Sequence, residues 1–133
     1  MARVVNLSEA GSIAIHGMVL IGKADGMTNV QSIADQTGAS RHHVAKVLQR
    51  LVKEGFLRSL RGPSGGFRLN RDPDQITLLD IYQVIEGPLE VTKCPMDKHI
   101  CPFNKCIMST VAAQMTTDFK NYLGGHTLAD FMK

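Results

Sequence analysis

Apolar residues recur at helical spacing over about 8–23, where Ala10, Ile13, Ala14, Gly17, Leu20 and Ile21 share one face until Asp25-Gly26 ends the run. A short second helix is predicted over 29–36, with Thr28 as its N-cap and Val30, Ile33 and Ala34 facing inward. Gly38-Ala39-Ser40 turns the chain, and Ser40 caps a third helix over 41–54 that buries Val44, Val47, Leu48 and Leu51. Residues 56–61 and 67–69 then read as antiparallel strands around the loop Gly62-Pro63-Ser64-Gly65-Gly66. Thr77, with Asp80 three residues on, opens a fourth helix carrying Leu78, Leu79, Ile81, Tyr82 and Ile85, which Gly87-Pro88 stops. A loop over 91–106 leads into a long helix over 104–123, where Ile107, Val111, Met115, Phe119 and Tyr122 form a stripe near i, i+4 spacing. Gly124-Gly125 ends that helix, and 127–131 forms a last short turn.

These elements predict a mainly α fold with a small β-hairpin wing: a winged helix-turn-helix joined to a long dimerisation helix. A short helix, a glycine turn and a longer basic helix would fit any helical hairpin; the β-hairpin directly after them is what makes the unit a winged helix, whose second helix enters the DNA major groove. The DNA-binding region covers 1–73 and the cysteine loop with the long helix covers 74–133, as one continuous domain whose first helix also serves the dimer. The stripe on the long helix has little chain left to cover it, which points to a homodimer seam.

The chain has 133 residues, 44% hydrophobic and 20% charged, enough to fold one core. No run reaches the roughly 18 apolar residues of a membrane span, and the N-terminus has no export pattern, so a cytoplasmic protein with no membrane partner is expected. The net charge of +3 divides unevenly, with ten Lys/Arg against five Asp/Glu over 1–73 and five against seven over 74–133. Over 41–71 the basic residues Arg41, Lys46, Arg50, Lys53, Arg58, Arg61, Arg68 and Arg71 meet only Glu54. That excess points to a polyanion, double-stranded DNA. With Val44, Leu48 and Leu51 inward, the outer stripe of the third helix is His42, Lys46, Gln49 and Lys53. The candidate contacts are Thr28, Ser40, Arg41, His42, His43 and Lys46 on the helix-turn-helix, and Arg61, Gly65 and Arg68 on the wing. Arg61 and Arg68 flank the hairpin tip, from which arginines reach phosphates or a narrow minor groove.

The three cysteines, Cys94, Cys101 and Cys106, fall in one short polar loop, each near a lysine. That clustering argues for a metal or redox role in a reducing compartment and against a disulfide scaffold. Thiolates suit iron–sulfur clusters, Zn or Cu(I). Neither spacing is the two-residue gap of a zinc knuckle, but Cys94, His99, Cys101 and Cys106 are by type a Cys₃His zinc set, which stays open.

The stretches Ser40-Arg41-His42-His43-Val44, Lys53-Glu54-Gly55-Phe56-Leu57 and Arg61-Gly62-Pro63-Ser64-Gly65-Gly66-Phe67-Arg68-Leu69 resemble the bacterial winged-helix regulators that include the iron–sulfur cluster regulator and the nitric-oxide-sensing repressor. Thr77-Leu78-Leu79-Asp80-Ile81, Glu86-Gly87, the cysteines and Thr127-Leu128-Ala129-Asp130 extend the similarity over nearly the whole chain. The resemblance implies a homodimeric transcription factor, a repressor by default, that binds a near-palindromic operator and carries a 2Fe-2S or 4Fe-4S cluster on the three cysteines. It also implies that the cluster senses nitric oxide, iron or redox state. Some relatives of the nitric-oxide-sensing type place an acidic ligand at the start of the first helix, which makes Glu9 of the partner subunit the candidate fourth ligand, with His99 as the alternative. Ser40-Arg41-His42-His43 looks more like the nitric-oxide- or iron-responsive branches, and Ile107-Met108-Ser109 stands where the cluster regulator usually has a histidine.

Two other readings stay open: a winged-helix regulator with zinc or no metal that answers a small ligand or partner protein, and a small electron carrier. An electron carrier has no use for a basic wing. No nucleophile–base pair or phosphate-binding glycine loop is present, so an enzyme is not expected.

Overall fold

The computed structural model describes residues 7–91, 107 and 111–132. Ser8 starts α1 (Glu9–Lys23): its hydroxyl oxygen accepts the Gly11 amide at 3.1 Å, and the hydroxyl donates to Glu86, which ties the helix start to a distant part of the chain. The predicted apolar face is buried at Ile13, Ala14, Gly17 and Ile21, with Met18 added and Leu20 only half-covered.

The second helix, α2 (Val30–Thr37), is capped by Asn29, whose side chain accepts the Ser32 amide at 2.8 Å. Thr28 is therefore not the cap. It is buried, and its backbone N–H and C=O exchange hydrogen bonds with Phe67 at 2.9 and 2.8 Å, so that it works as a strand-like joint. Gly38 takes a left-handed φ of 76° to end α2. Ser40 then caps α3 (Arg41–Lys53) by accepting the His43 amide at 3.1 Å, and Val44, Val47, Leu48 and Leu51 are buried as predicted.

β1 (Leu57–Leu60) and β2 (Gly66–Leu69) form the hairpin, in antiparallel register Leu57↔Leu69, Arg58↔Arg68, Ser59↔Phe67 and Leu60↔Gly66. The first strand is shorter than the predicted 56–61. Phe56 still donates its amide to Leu51, closing the end of α3, and Arg61 lies in the turn. Two glycines fix the tip. A Cβ on Gly65 would stand 2.0 Å from the Leu60 carbonyl oxygen, and one on Gly66 (φ 147°) 2.6 Å from that of Thr28. Gly65→Ala is thus expected to cost about 1–3 kcal/mol through backbone overpacking, read as a lower urea midpoint. A midpoint equal to wild type would contradict this packing.

A 3₁₀ turn, Pro73–Gln75, leads into α4 (Leu78–Glu86), where Thr77 and Asp80 form the predicted capping box at 3.0 Å in both directions. The last helix, α5, is described over Val111–Gly125 and so ends two residues beyond the predicted 123. Ile107 is a bend, and Gly124-Gly125 lie inside the helix as its last residues. The chain leaves it only when captured by a bridge between Thr77 and Thr127, followed by a 3₁₀ turn at Leu128–Phe131. Residues 104–106 and 108–110 of the predicted helix lie outside the described residues.

α1 is the central rod, packed on α2, α3, α4, β2 and the final 3₁₀ turn. The core joins Ala14, Met18, Ile33, Val44, Leu48 and Leu51 to Ile76, Ile81 and Leu128, all fully buried. On α5, Ala112, Thr116 and Leu123 are buried, and Phe119 meets Tyr82 edge-on at 5.2 Å, while Val111, Met115 and Tyr122 are exposed. The expected stripe therefore splits, with Phe119 serving this chain's own core. A groove of about 920 Å³, lined by Leu7, Ile13 and Leu20 at α1 and by Tyr122, Leu123 and Phe131, runs beside it.

Candidate nucleic-acid interface

The inward anchors of α3 leave Arg41, His42, Lys46, Gln49 and Lys53 exposed on one side. Ser40 is exposed at the helix start, with its hydroxyl oxygen committed to the His43 amide. His43 turns toward α1: its Nδ1 lies 3.3 Å from Glu9 Oε1. That contact joins the first turns of two helices distant in sequence, and no periodicity announces it. Arg61 is exposed in the wing loop, Arg68 is exposed on β2, and half-buried Gly65 allows the tight tip.

The basic stretch is not a single surface. Arg50 donates to the carbonyls of Val84 at 2.8 Å and Ile85 at 3.4 Å, where α4 ends. Arg71 donates to the Glu54 carbonyl at 3.1 Å and lies 4.1 Å over the centre of the Phe56 ring. Both serve the fold. Among the described residues, Arg41, Lys46, Lys53, Arg58, Arg61 and Arg68 have no ion pair or side-chain hydrogen bond. Six cations without protein counter-charges, spread over a helix face and an adjoining hairpin, are suited to a phosphate backbone.

Thr28, expected at the interface, is buried beneath the wing, and its Oγ1 has no hydrogen-bond partner. Its place is structural, at the joint between helix and hairpin. Cys94, Cys101, Cys106 and His99 lie outside the described residues. Glu9 is on the first turn of α1 with its side chain 70% exposed, paired to His43. Among the described residues no three His, Cys, Asp or Glu side chains gather as a metal site.

A glycine-turned helix pair followed by a β-hairpin, with free cations on both, defines a winged-helix DNA-binding fold. Residues 7–133 match the Rrf2 family model, described as "Iron-dependent Transcriptional regulator", and the chain belongs to that family of transcriptional regulators. It is a regulator, not an enzyme. Its structure is similar to CymR, the global cysteine regulator of B. subtilis (27% identity, TM-score 0.79, 96% of each chain covered). It is also similar to T. potens IscR (26% identity, TM-score 0.73, covering 96% of this chain and 86% of that one). The oxidized form of Staphylococcus aureus CymR shares the fold at 22% identity and a TM-score of 0.74, covering 97% of each. No helix among the described residues is long and apolar enough to cross a membrane.

Proposed function

We propose that this protein is a homodimeric repressor that binds a near-palindromic operator, with operator affinity set by an iron–sulfur cluster sensing nitric oxide, iron or redox state. The observation that carries the DNA half is the unpaired cation set on α3 and the wing. Arg41, His42 and Lys46 meet the major groove, and Arg61 anchors the wing on the backbone or in the minor groove. Arg68 adds a contact from the second strand of the wing. Ser40 and His43 support the first turn of α3, and Gly65 shapes the tip.

The dimer reading rests on the exposed Val111, Met115 and Tyr122 of α5, the last of which lines the apolar groove between α1 and α5. Two-fold symmetry of such a dimer matches half-sites about one or two helical turns apart.

The cluster half rests on the clustered cysteines and on the family's description as iron-dependent. Cys94, Cys101 and Cys106 hold the cluster, with the partner subunit's Glu9 ahead of His99 as fourth ligand. When bound, the cluster supplies an iron centre reactive toward nitric oxide or oxygen. A carboxylate is a harder ligand than a thiolate and would bind iron less firmly. Likeness to a cysteine regulator supports a second reading, in which the winged helix carries zinc or no metal and answers a small ligand or a partner protein.

Anaerobic purification separates the two. The expected preparation is brown, with iron and acid-labile sulfide in equal amounts, and Cys101→Ala is colourless with the helical circular-dichroism spectrum retained. A colourless wild-type protein containing zinc, or no metal, would favour the second reading.

A further inference from the structure

In the hairpin register Arg58 stands directly opposite Arg68. Strand alternation puts both on the face away from buried Leu57 and Phe67, so neither can turn toward the core. Both side chains are exposed, and neither has an ion pair or hydrogen bond among the described residues. On the same face the next pair is Leu60 opposite Gly66, with Leu60 62% exposed, and no carboxylate occupies either strand. Like charges directly opposed across two strands destabilise a hairpin. Arg50 and Arg71 of this basic stretch are given carbonyl acceptors by the fold, whereas Arg41 and Arg61, like this pair, are given none among the described residues. Here it supplies none, although the register holds the two side chains together.

We propose that Arg58 and Arg68 form a two-guanidinium clamp for a backbone phosphate of duplex DNA, on the flat face of the wing and apart from the Arg61 tip. The clamp rests on the DNA-binding reading above and adds Arg58 to it. Two planar forks converging on one phosphate satisfy its oxygens by charge-assisted hydrogen bonds, and the anion converts the repulsive pair into a bridged one.

The test uses the full-length protein, short duplex DNA of mixed sequence, and affinity measured over a salt series. Arg58→Gln and Arg68→Gln should each weaken binding, the double variant little more than either single one, and the double variant should lower the log–log salt slope by about 1. The free variants should melt at or above the wild-type temperature, because a repulsion has been removed. Wild type that binds with a steep salt slope shared by the double variant would overturn the clamp and leave the winged-helix reading intact. Wild type that fails to bind any duplex would overturn that reading itself. Weaker binding accompanied by a lower melting temperature would also overturn the clamp, since the arginines would then be holding the hairpin together.

Discussion

Arg41→Ala is expected to lower affinity for the operator by about 1–3 kcal/mol, a loss of roughly 5- to 150-fold. Arg41 is the first residue of α3, its guanidinium is exposed, and nothing in the described protein engages it. A base-edge contact discriminates among sequences, so the loss should be largest on the best operator and small on mixed DNA. Arg61→Ala should behave differently, weakening all duplexes and reducing the salt slope by about 1. The two sites lie on separate elements, helix and loop, so their effects should add. Arg50→Ala is the control. It removes the same charge, yet Arg50 bonds the carbonyls at the end of α4, and its loss should lower the unfolding midpoint first. Titrations of the three variants on operator and mixed duplexes check this. Wild-type binding by Arg41→Ala and Arg61→Ala would remove both assignments.

Leu48→Ala is expected to destabilise the fold by about 2–5 kcal/mol. Leu48 is fully buried on the inner face of α3, and its Cδ2 lies 3.6 Å from where a Cβ on Gly17 of α1 would stand. The two helices approach closely there, so little can move to fill the void. Set against a total of about 5–15 kcal/mol for a domain, the loss should shift the urea midpoint far down at an unchanged slope. The anchor also orients the outer stripe of α3, so DNA binding should fall wherever the folded fraction falls. A shift below about 1 kcal/mol would mean that α1 and α3 can re-pack freely, contrary to the close-packed interior seen here.

What was legible in the sequence was local. Ser40 and the Thr77–Asp80 pair announce helix starts because their side chains bond within the same turn, and Val44, Val47, Leu48 and Leu51 announce a face because the helix repeat alone groups them. Asn29 stands beside Thr28 and is the more favoured residue type for an N-cap, and its side chain is the one that accepts the Ser32 amide. The unread features are those made by residues far apart in the chain. Thr28 pairs its backbone with Phe67, and the side chains of Arg50 and Glu9 reach Val84 and His43, so each residue has a role that its own neighbourhood does not encode. The same holds for the end of α5, where two glycines read as a stop and the helix nevertheless continues until the Thr77–Thr127 bridge takes the chain. For the interface, the consequence is that a basic stretch in sequence becomes two sets in space, one bound to the protein's own carbonyls and one free for DNA.

On the proposed reading, cluster state sets DNA affinity. The direct measurement is anaerobic titration of the purified protein into a duplex it has itself enriched from random DNA, before and after a stoichiometric dose of nitric oxide. A coupling of about 1–3 kcal/mol, or roughly 5- to 150-fold, is expected for wild type, with no response from Cys101→Ala. Superimposable isotherms before and after nitric oxide, from a protein shown to carry iron and sulfide, would contradict it.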